Sequence, residues 1–125
     1  MRVLPLKENA LSEIFGRKKP LVGTVHCLPF PGAPRYQNES VDMIVEHALA
    51  EAEKYALGGM DGIIVENGWD IPYLKLGEIG PETVSMLTTI ANAIRDAVDL
   101  PLGIVVNANA DVAAMAVAKA TNASF

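Results

Sequence analysis

The sequence contains one cysteine, few aromatic residues and no long hydrophobic run. A lone Cys27 excludes an internal disulfide and any zinc site built from several cysteines, which agrees with a reducing compartment. No stretch reaches the roughly 18 consecutive apolar residues that a membrane-spanning helix needs. The N-terminal segment carries charged residues every few positions where a signal peptide needs an apolar block, so we expect a cytoplasmic protein without a membrane span.

Positive charge is also scarce, with 10 Lys and Arg residues against 15 Asp and Glu residues and a net charge of -5. Nucleic-acid binding relies on clustered Lys and Arg, so this balance argues against a nucleic-acid partner. The one basic run, Arg17-Lys18-Lys19, is typical of a solvated turn. Half of the 125 residues are apolar, which is enough for one domain with a hydrophobic core.

The chain alternates predicted strands and helices. A short helix is expected at about residues 7–16, where apolar residues share one face and a glycine follows. Apolar segments typical of buried strands then begin at Leu21, Gly62 and Leu102, about 40 residues apart. A helical pattern follows each of them, with Ser40 as a predicted cap of the first and Pro81 as the opening residue of the second.

This alternation predicts an α/β fold with parallel strands and helical crossovers. No Gly-x-Gly-x-x-Gly motif follows the first strand, and all three strands carry polar residues at their carboxyl ends, so a TIM barrel is favoured over a doubly wound sheet. A barrel needs about 200 residues. Residues 1–125 supply three βα units and at most the start of a fourth strand. We therefore interpret them as the N-terminal half of one barrel domain, whose apolar interior needs the other half or self-association to cover it.

Polar side chains end the three predicted strands at His26, Glu66 and Asn107. The carboxyl ends of parallel strands meet at one edge, and neighbouring strands lie about 4.8 Å apart. His26 and Glu66 are therefore candidate catalytic residues that share a proton as a general acid/base pair. The competing interpretation is that they only hold loops together. We predict no metal site, because His, Glu and Asn at these positions are not specific for any metal, and no cofactor can be identified.

Further polar residues near these ends are candidates for substrate binding. Asn67, Asn107 and Asn109 can hydrogen-bond a ligand's hydroxyl or phosphate groups, although for Asn109 we favour a role as helix cap. Asp70 lies with Trp69 in a loop that either covers a ligand or packs on the neighbouring segment, residues 28–36. The usual phosphate cradle of a barrel comes from later strands that this sequence does not contain.

Two titratable residues are predicted to be inert. Cys27 follows His26, and successive side chains of a strand point to opposite faces, so the two cannot form a thiol–imidazole pair. We expect a buried, unreactive thiol there. His47 falls on the polar face of the predicted helix after Ser40, and we expect it to be solvated.

The segments "PLVGTVHCLPFPGAPRY", "EAEKYALGGMDGIIVENGWDIPY", "PETVSMLTTIANAI" and "LGIVVNANADVAAMAVAKATNASF" resemble the BtpA/SgcQ family in order and spacing. The most specific parts are His-x-Leu-Pro-x-Pro at 26–31 and Gly-x-Asp-Gly-Ile-Ile-Val-Glu-Asn at 59–67. The resemblance implies a TIM barrel related to the ribulose-phosphate-binding barrels. Some members are linked to photosystem I biogenesis and others to sugar-metabolism operons, and no reaction is firmly attached to the family.

The sequence also departs from the family pattern. Many members continue the third strand into an Arg-Asn-Asp-like segment, which here is Ala108-Asn109-Ala110, so only the central amide remains. A glycine usual before the fourth strand is Asn122 here. The resemblance therefore supports a role only for His26, Glu66, Asn67 and, less strongly, Asn109.

Three functions remain open from the sequence. The first is an enzyme acting on a small-molecule ligand such as a phosphorylated sugar or a nucleoside-like metabolite. The second is a non-catalytic factor for photosystem I or another membrane complex. The third is an inactive truncated fragment. The barrel hosts many chemistries, so the fold alone does not decide among them.

Overall fold

Residues 9–125 are described by a computed structural model, in which three parallel strands alternate with helices. In chain order the elements are α1 (Ala10–Phe15), β1 (Val22–His26), α2 (Val41–Leu57), β2 (Gly62–Glu66), α3 (Pro81–Ala97), β3 (Leu102–Val105) and α4 (Asp111–Thr121). A short 3-10 helix, Leu76–Glu78, precedes α3. The predicted α/β order, the parallel strands and the positions of the elements are confirmed.

The helix ends follow the expected capping chemistry. Asn9 accepts a hydrogen bond from the backbone of Leu11, and α1 ends at Gly16, whose φ of 67° is the left-handed conformation that glycine favours. The predicted helix began at residue 7, and residues 7 and 8 lie outside the described part of the chain. Ser40 caps α2 through Met43 N–H at 3.2 Å, and Pro81 opens α3, both as predicted.

The sheet has the order β1-β2-β3, so sequential strands are neighbours. His26 pairs with Glu66 in register, and Glu66 pairs with Val105. After α4 the chain returns to β3. Ser124 N–H donates to Leu102 C=O at 2.7 Å and Phe125 C=O accepts from Ile104 N–H at 3.2 Å. These bonds begin a fourth strand position, as the sequence suggested.

The hydrophobic core lies between the sheet and helices α2, α3 and α4. Gly23 marks this face of the sheet, because a Cβ there would lie 2.5 Å from the ring of Tyr55 on α2. Ile63 pairs with Gly23 and therefore points to the same side. The largest side chains that are fully buried are Val25, Phe30, Ile44, Ile63, Val65, Leu87, Ile90, Ile94 and Val117.

The opposite side of the sheet, which we call the open face, has no helix layer among residues 9–125. Besides Gly62 and Gly103, its members on the three strands are Val22, Thr24, His26, Ile64, Glu66 and Val105, all partly buried or exposed. The rings of Phe15 and Phe125 pack against Gly62 and Gly103 on this side, with centroids 5.1 Å apart. Among the described residues, the amino-terminal end of the open face is therefore covered by two aromatic rings and the rest is not covered by a second layer.

No helix in residues 9–125 is both long enough and apolar enough to cross a membrane.

Candidate functional site

His26 and Glu66 form a close pair at the carboxyl ends of β1 and β2. His26 Nε2 lies 2.9 Å from Glu66 Oε1. The imidazole is 53% exposed, whereas the carboxylate is only 15% exposed. A carboxylate only accepts hydrogen bonds, so the shared proton lies on Nε2 when the imidazole is neutral, and Nδ1 is then the nitrogen that can take a proton.

The imidazole of His26 packs directly on the backbone of Gly68. A Cβ at Gly68 would lie 2.5 Å from His26 Cδ2 and 2.9 Å from His26 Cβ, so only glycine lets the ring lie on this backbone. The carbonyl of Gly68 accepts a hydrogen bond from the Tyr73 hydroxyl at 3.0 Å, which holds the loop after β2 in position. No sequence pattern marks Gly68, because the need for a glycine arises only from the ring that the neighbouring strand places over it.

Asn67 joins the loops that follow the strands. Its amide accepts from Asn107 N–H at 2.7 Å and donates to Asn107 C=O at 3.0 Å, which imitates the pairing between two strands. The same Nδ2 lies 3.2 Å from Asp70 Oδ2, and Asp70 Oδ1 accepts from Phe30 N–H at 2.8 Å. One buried cluster therefore connects the ends of β1, β2 and β3.

Three of the residues predicted to bind substrate, Asn67, Asp70 and Asn107, belong to this buried cluster. Asn67 and Asp70 are 2% and 5% exposed, and their side-chain atoms contact protein groups. Asn107 enters the cluster through its backbone. Of the two interpretations offered for Asp70, the structure places its carboxylate on the segment 28–36. Ligand contact by Asn67, Asp70 and Asn107 stays a prediction.

Burial changes the acidity of two groups near the pair. Burial raises the pKa of Asp70, and the hydrogen bonds from Phe30 N–H and the Asn67 amide partly oppose that shift. Burial also raises the pKa of the Cys27 thiol far above its usual range, and the nearby Asp70 and Glu66 carboxylates add to the effect. Cys27 has no exposed surface and is protonated at neutral pH, as expected for an unreactive thiol.

The predicted cap function of Asn109 is wrong. The residue that precedes α4 is Ala110, and it makes no side-chain cap. Asn109 lies one residue earlier with a φ of 58°, in the left-handed conformation that asparagine tolerates. The Asp111 carboxylate instead accepts from Val112 N–H at 2.8 Å. Asn109 is exposed beside an open groove of about 500 Å³ at the end of β3, so its ligand role stays a prediction.

Trp69 lies in a second groove, which we call the Trp69 groove. It has a volume of about 520 Å³ between the loops after β1 and β2. Its lining consists of Leu28, Pro29, Pro34, Arg35, Gln37, Glu39 and Trp69. His47 is exposed on α2, as expected.

Within residues 9–125 no group of three or more His, Cys, Asp and Glu side chains is placed to hold a metal ion. An imidazole and a carboxylate at hydrogen-bond distance are able to share a proton.

Comparison with known proteins identifies the family. The sequence model that describes the BtpA family matches residues 17–125. The chain belongs to the BtpA family. This confirms the resemblance drawn from the sequence, including the segments that carry His26 and Glu66.

Individual relatives of the BtpA-family chain come from archaea, bacteria and animals. An uncharacterised protein of Pyrococcus horikoshii is 43% identical over 86% of this chain and 40% of its own length. An uncharacterised protein of Archaeoglobus fulgidus is 43% identical over 86% of this chain and 42% of its own length. The photosystem I biogenesis protein BtpA of Synechocystis is 37% identical over 92% of this chain and 39% of its own length.

The chain thus spans about two fifths of the length of the curated relatives that it matches. No solved structure shows significant similarity to it.

Proposed function

We propose that this chain supplies the first part of a cytoplasmic TIM barrel that binds a small phosphorylated sugar or nucleoside-like metabolite at the carboxyl edge of its strands. His26 and Glu66 act there as a general acid/base pair. The observation that carries the proposal is the 2.9 Å contact between a half-exposed imidazole and a mostly buried carboxylate at that edge. The absence of a helix layer over the open face among the described residues supports the barrel, because further strands would cover that side.

The different exposure of the two side chains suggests different roles for His26 and Glu66. Glu66 is shielded and holds the ring at Nε2, while the half-exposed His26 is open to a ligand from the solvent side. A histidine held in this way takes a proton from a carbon or hydroxyl group of the ligand and returns it elsewhere. Such a positioned base accelerates proton transfer by about 100- to 10,000-fold.

Hydrogen exchange with solvent tests the acid/base role. Phosphorylated ketoses and aldoses carry an acidic C–H beside a carbonyl, so a working base exchanges that hydrogen for deuterium in D2O. We expect exchange by the wild type, detected by mass spectrometry, and a loss of about 100-fold or more in His26→Gln and Glu66→Gln. The matched control is His47→Gln, which changes the only other histidine, on the exposed side of α2.

The outcomes are distinct. Equal exchange in His26→Gln and His47→Gln contradicts the acid/base role, as does the absence of exchange by the wild type with every phosphorylated ketose and aldose tested.

A second candidate function is that of a non-catalytic assembly factor. The name of the Synechocystis relative supports it. An assembly surface also needs exposed apolar residues. Leu76 before α3 is 56% exposed, and Val112 and Met115 on α4 are 76% and 70% exposed. Under this function, Val112→Ser with Met115→Gln abolishes co-sedimentation with photosystem I particles, whereas His26→Gln has no effect on it. The reverse pattern removes this candidate.

A further inference from the structure

The Trp69 groove combines an exposed aromatic ring with an exposed cation. The indole of Trp69 is 47% exposed, and the side chains of Pro29 and Pro34 line the same space. Aromatic and proline surfaces are flat and apolar, which suits a planar ring. The groove begins close to the acid/base pair, since the loops that form it leave β1 directly after His26 and β2 directly after Glu66.

The walls of the groove are held in place before any ligand binds. Phe30 N–H is bound by the buried carboxylate of Asp70, and Trp69 N–H donates to Cys27 C=O at 3.3 Å. Further along the same loop, the Tyr36 hydroxyl donates to Glu39 C=O at 3.0 Å. A groove whose backbone is already fixed loses little conformational entropy when it binds a ligand.

Arg35 supplies the charge. Among residues 9–125 no carboxylate lies within ion-pair distance of its guanidinium. Glu39 is the acidic residue of the lining, and its carboxylate accepts from Gln37 N–H at 2.9 Å. A guanidinium without a carboxylate partner, placed at the edge of an aromatic groove, is suited to a phosphate group.

From this combination we infer that the Trp69 groove is a binding subsite for a ring-bearing phosphate of the size of a nucleoside monophosphate, with the ring on Trp69 and the phosphate at Arg35. The inference rests on the proposed function, because the subsite lies at the same edge of the sheet, and of the two ligand classes proposed there it favours the nucleoside-like one. The volume of about 520 Å³ lies within the range of small-molecule sites.

The fluorescence of Trp69 tests this subsite directly, because the chain contains only one tryptophan. We would titrate the 125-residue chain with adenosine 5′-monophosphate, adenosine, ribose 5-phosphate and inorganic phosphate. We expect saturable quenching by the monophosphate, binding of adenosine weaker by about tenfold, and no quenching by inorganic phosphate. Ribose 5-phosphate separates a sugar phosphate from a nucleotide, since it lacks the ring that stacks on the indole.

Charge-matched variants identify the phosphate contact. Arg35→Gln should weaken the monophosphate about tenfold, to the affinity of adenosine, and leave adenosine unchanged. The control Lys119→Gln removes the same charge from the exposed last turn of α4 and should have no effect. Absence of saturable quenching by the monophosphate overturns the subsite, as does an Arg35→Gln variant that binds like wild type.

The variant His26→Gln tests the subsite and the acid/base role independently of each other. It should retain quenching by the monophosphate, because the groove holds ring and phosphate without the imidazole. Quenching with no loss of hydrogen exchange in His26→Gln would contradict the acid/base role alone. Loss of exchange in that variant, with no quenching in the wild type, would contradict the subsite alone.

Discussion

Asn67 shows how one amide can organise three loops. Its oxygen and nitrogen contact the backbone of Asn107, and its nitrogen also reaches Asp70, whose carboxylate holds Phe30 N–H. A buried carboxylate without hydrogen-bond donors would be costly, so the amide also makes the burial of Asp70 tolerable. We therefore regard Asn67 as the residue that positions the ends of the strands around the acid/base pair.

Asn67→Ala should lower the free energy of unfolding by about 2 to 4 kcal/mol, because it leaves Asn107 N–H unpaired and removes one donor from Asp70. Urea denaturation followed by circular dichroism measures the change. Asn92→Ala is the matched control, since the buried side-chain oxygen of Asn92 has no hydrogen-bond partner among the described residues. We expect this control to be neutral or slightly stabilising. Equal destabilisation by both variants would contradict the role assigned to Asn67.

At the scale of residues, the sequence placed the pair correctly but not all of its surroundings. His26 and Glu66 were expected at one edge because polar residues directly follow apolar strands, and parallel strands end together. The cap assigned to Asn109 failed because the backbone turns into the left-handed region at Asn109, two residues before the first residue of α4. Asn122 adopts the same conformation, with a φ of 54°, which explains how asparagine can stand where the family usually has glycine.

At the scale of elements, helix boundaries were predictable because their signals are local. Serine and proline marked the starts of α2 and α3 through backbone chemistry that involves only a few neighbouring residues. The spacing of apolar residues in α3 predicts a buried stripe of Val84, Leu87, Ala91, Ile94 and Val98. Val84 is only partly buried, and Met86 and Ile90 are buried as well, because α3 packs against both α2 and α4 as well as the sheet.

Ser40→Ala should destabilise the chain by about 1 kcal/mol, because Met43 N–H in the first turn of α2 loses its acceptor. Amide hydrogen exchange should show faster exchange at that turn, and urea denaturation gives the magnitude. Ser85→Ala is the control, since this exposed serine lies inside α3, where alanine is the better helix former. A larger loss for Ser85→Ala than for Ser40→Ala would show that the cap contributes little.

At the scale of the whole molecule, one side of the sheet is covered by helices and the other is not, among residues 9–125. Helices α2, α3 and α4 bury one side, whereas the open face carries partly buried apolar residues and, at the carboxyl edge, the candidate site. Apolar residues on both faces of a strand indicate cover on both sides, so the strand pattern alone did not predict this asymmetry. It was predicted from the count of three βα units, which are too few to close a barrel. How the open face is covered depends on contacts beyond three βα units, so local pattern carries no information on it.

Ile63 and Ile64 allow the asymmetry to be measured within one strand. Ile63 is 1% exposed under the helices, whereas Ile64 lies on the open face and is only partly buried. Ile63→Ala should therefore cost about 2 to 5 kcal/mol of unfolding free energy, and Ile64→Ala about 1 kcal/mol. Urea denaturation of the 125-residue chain at low concentration measures both values.

The cost of Ile64→Ala should rise with protein concentration if copies of the chain cover one another's open faces, which sedimentation velocity detects independently. Equal costs for the two variants at every concentration, without association, would mean that both sides of the sheet are covered within this chain and would contradict the half-barrel interpretation.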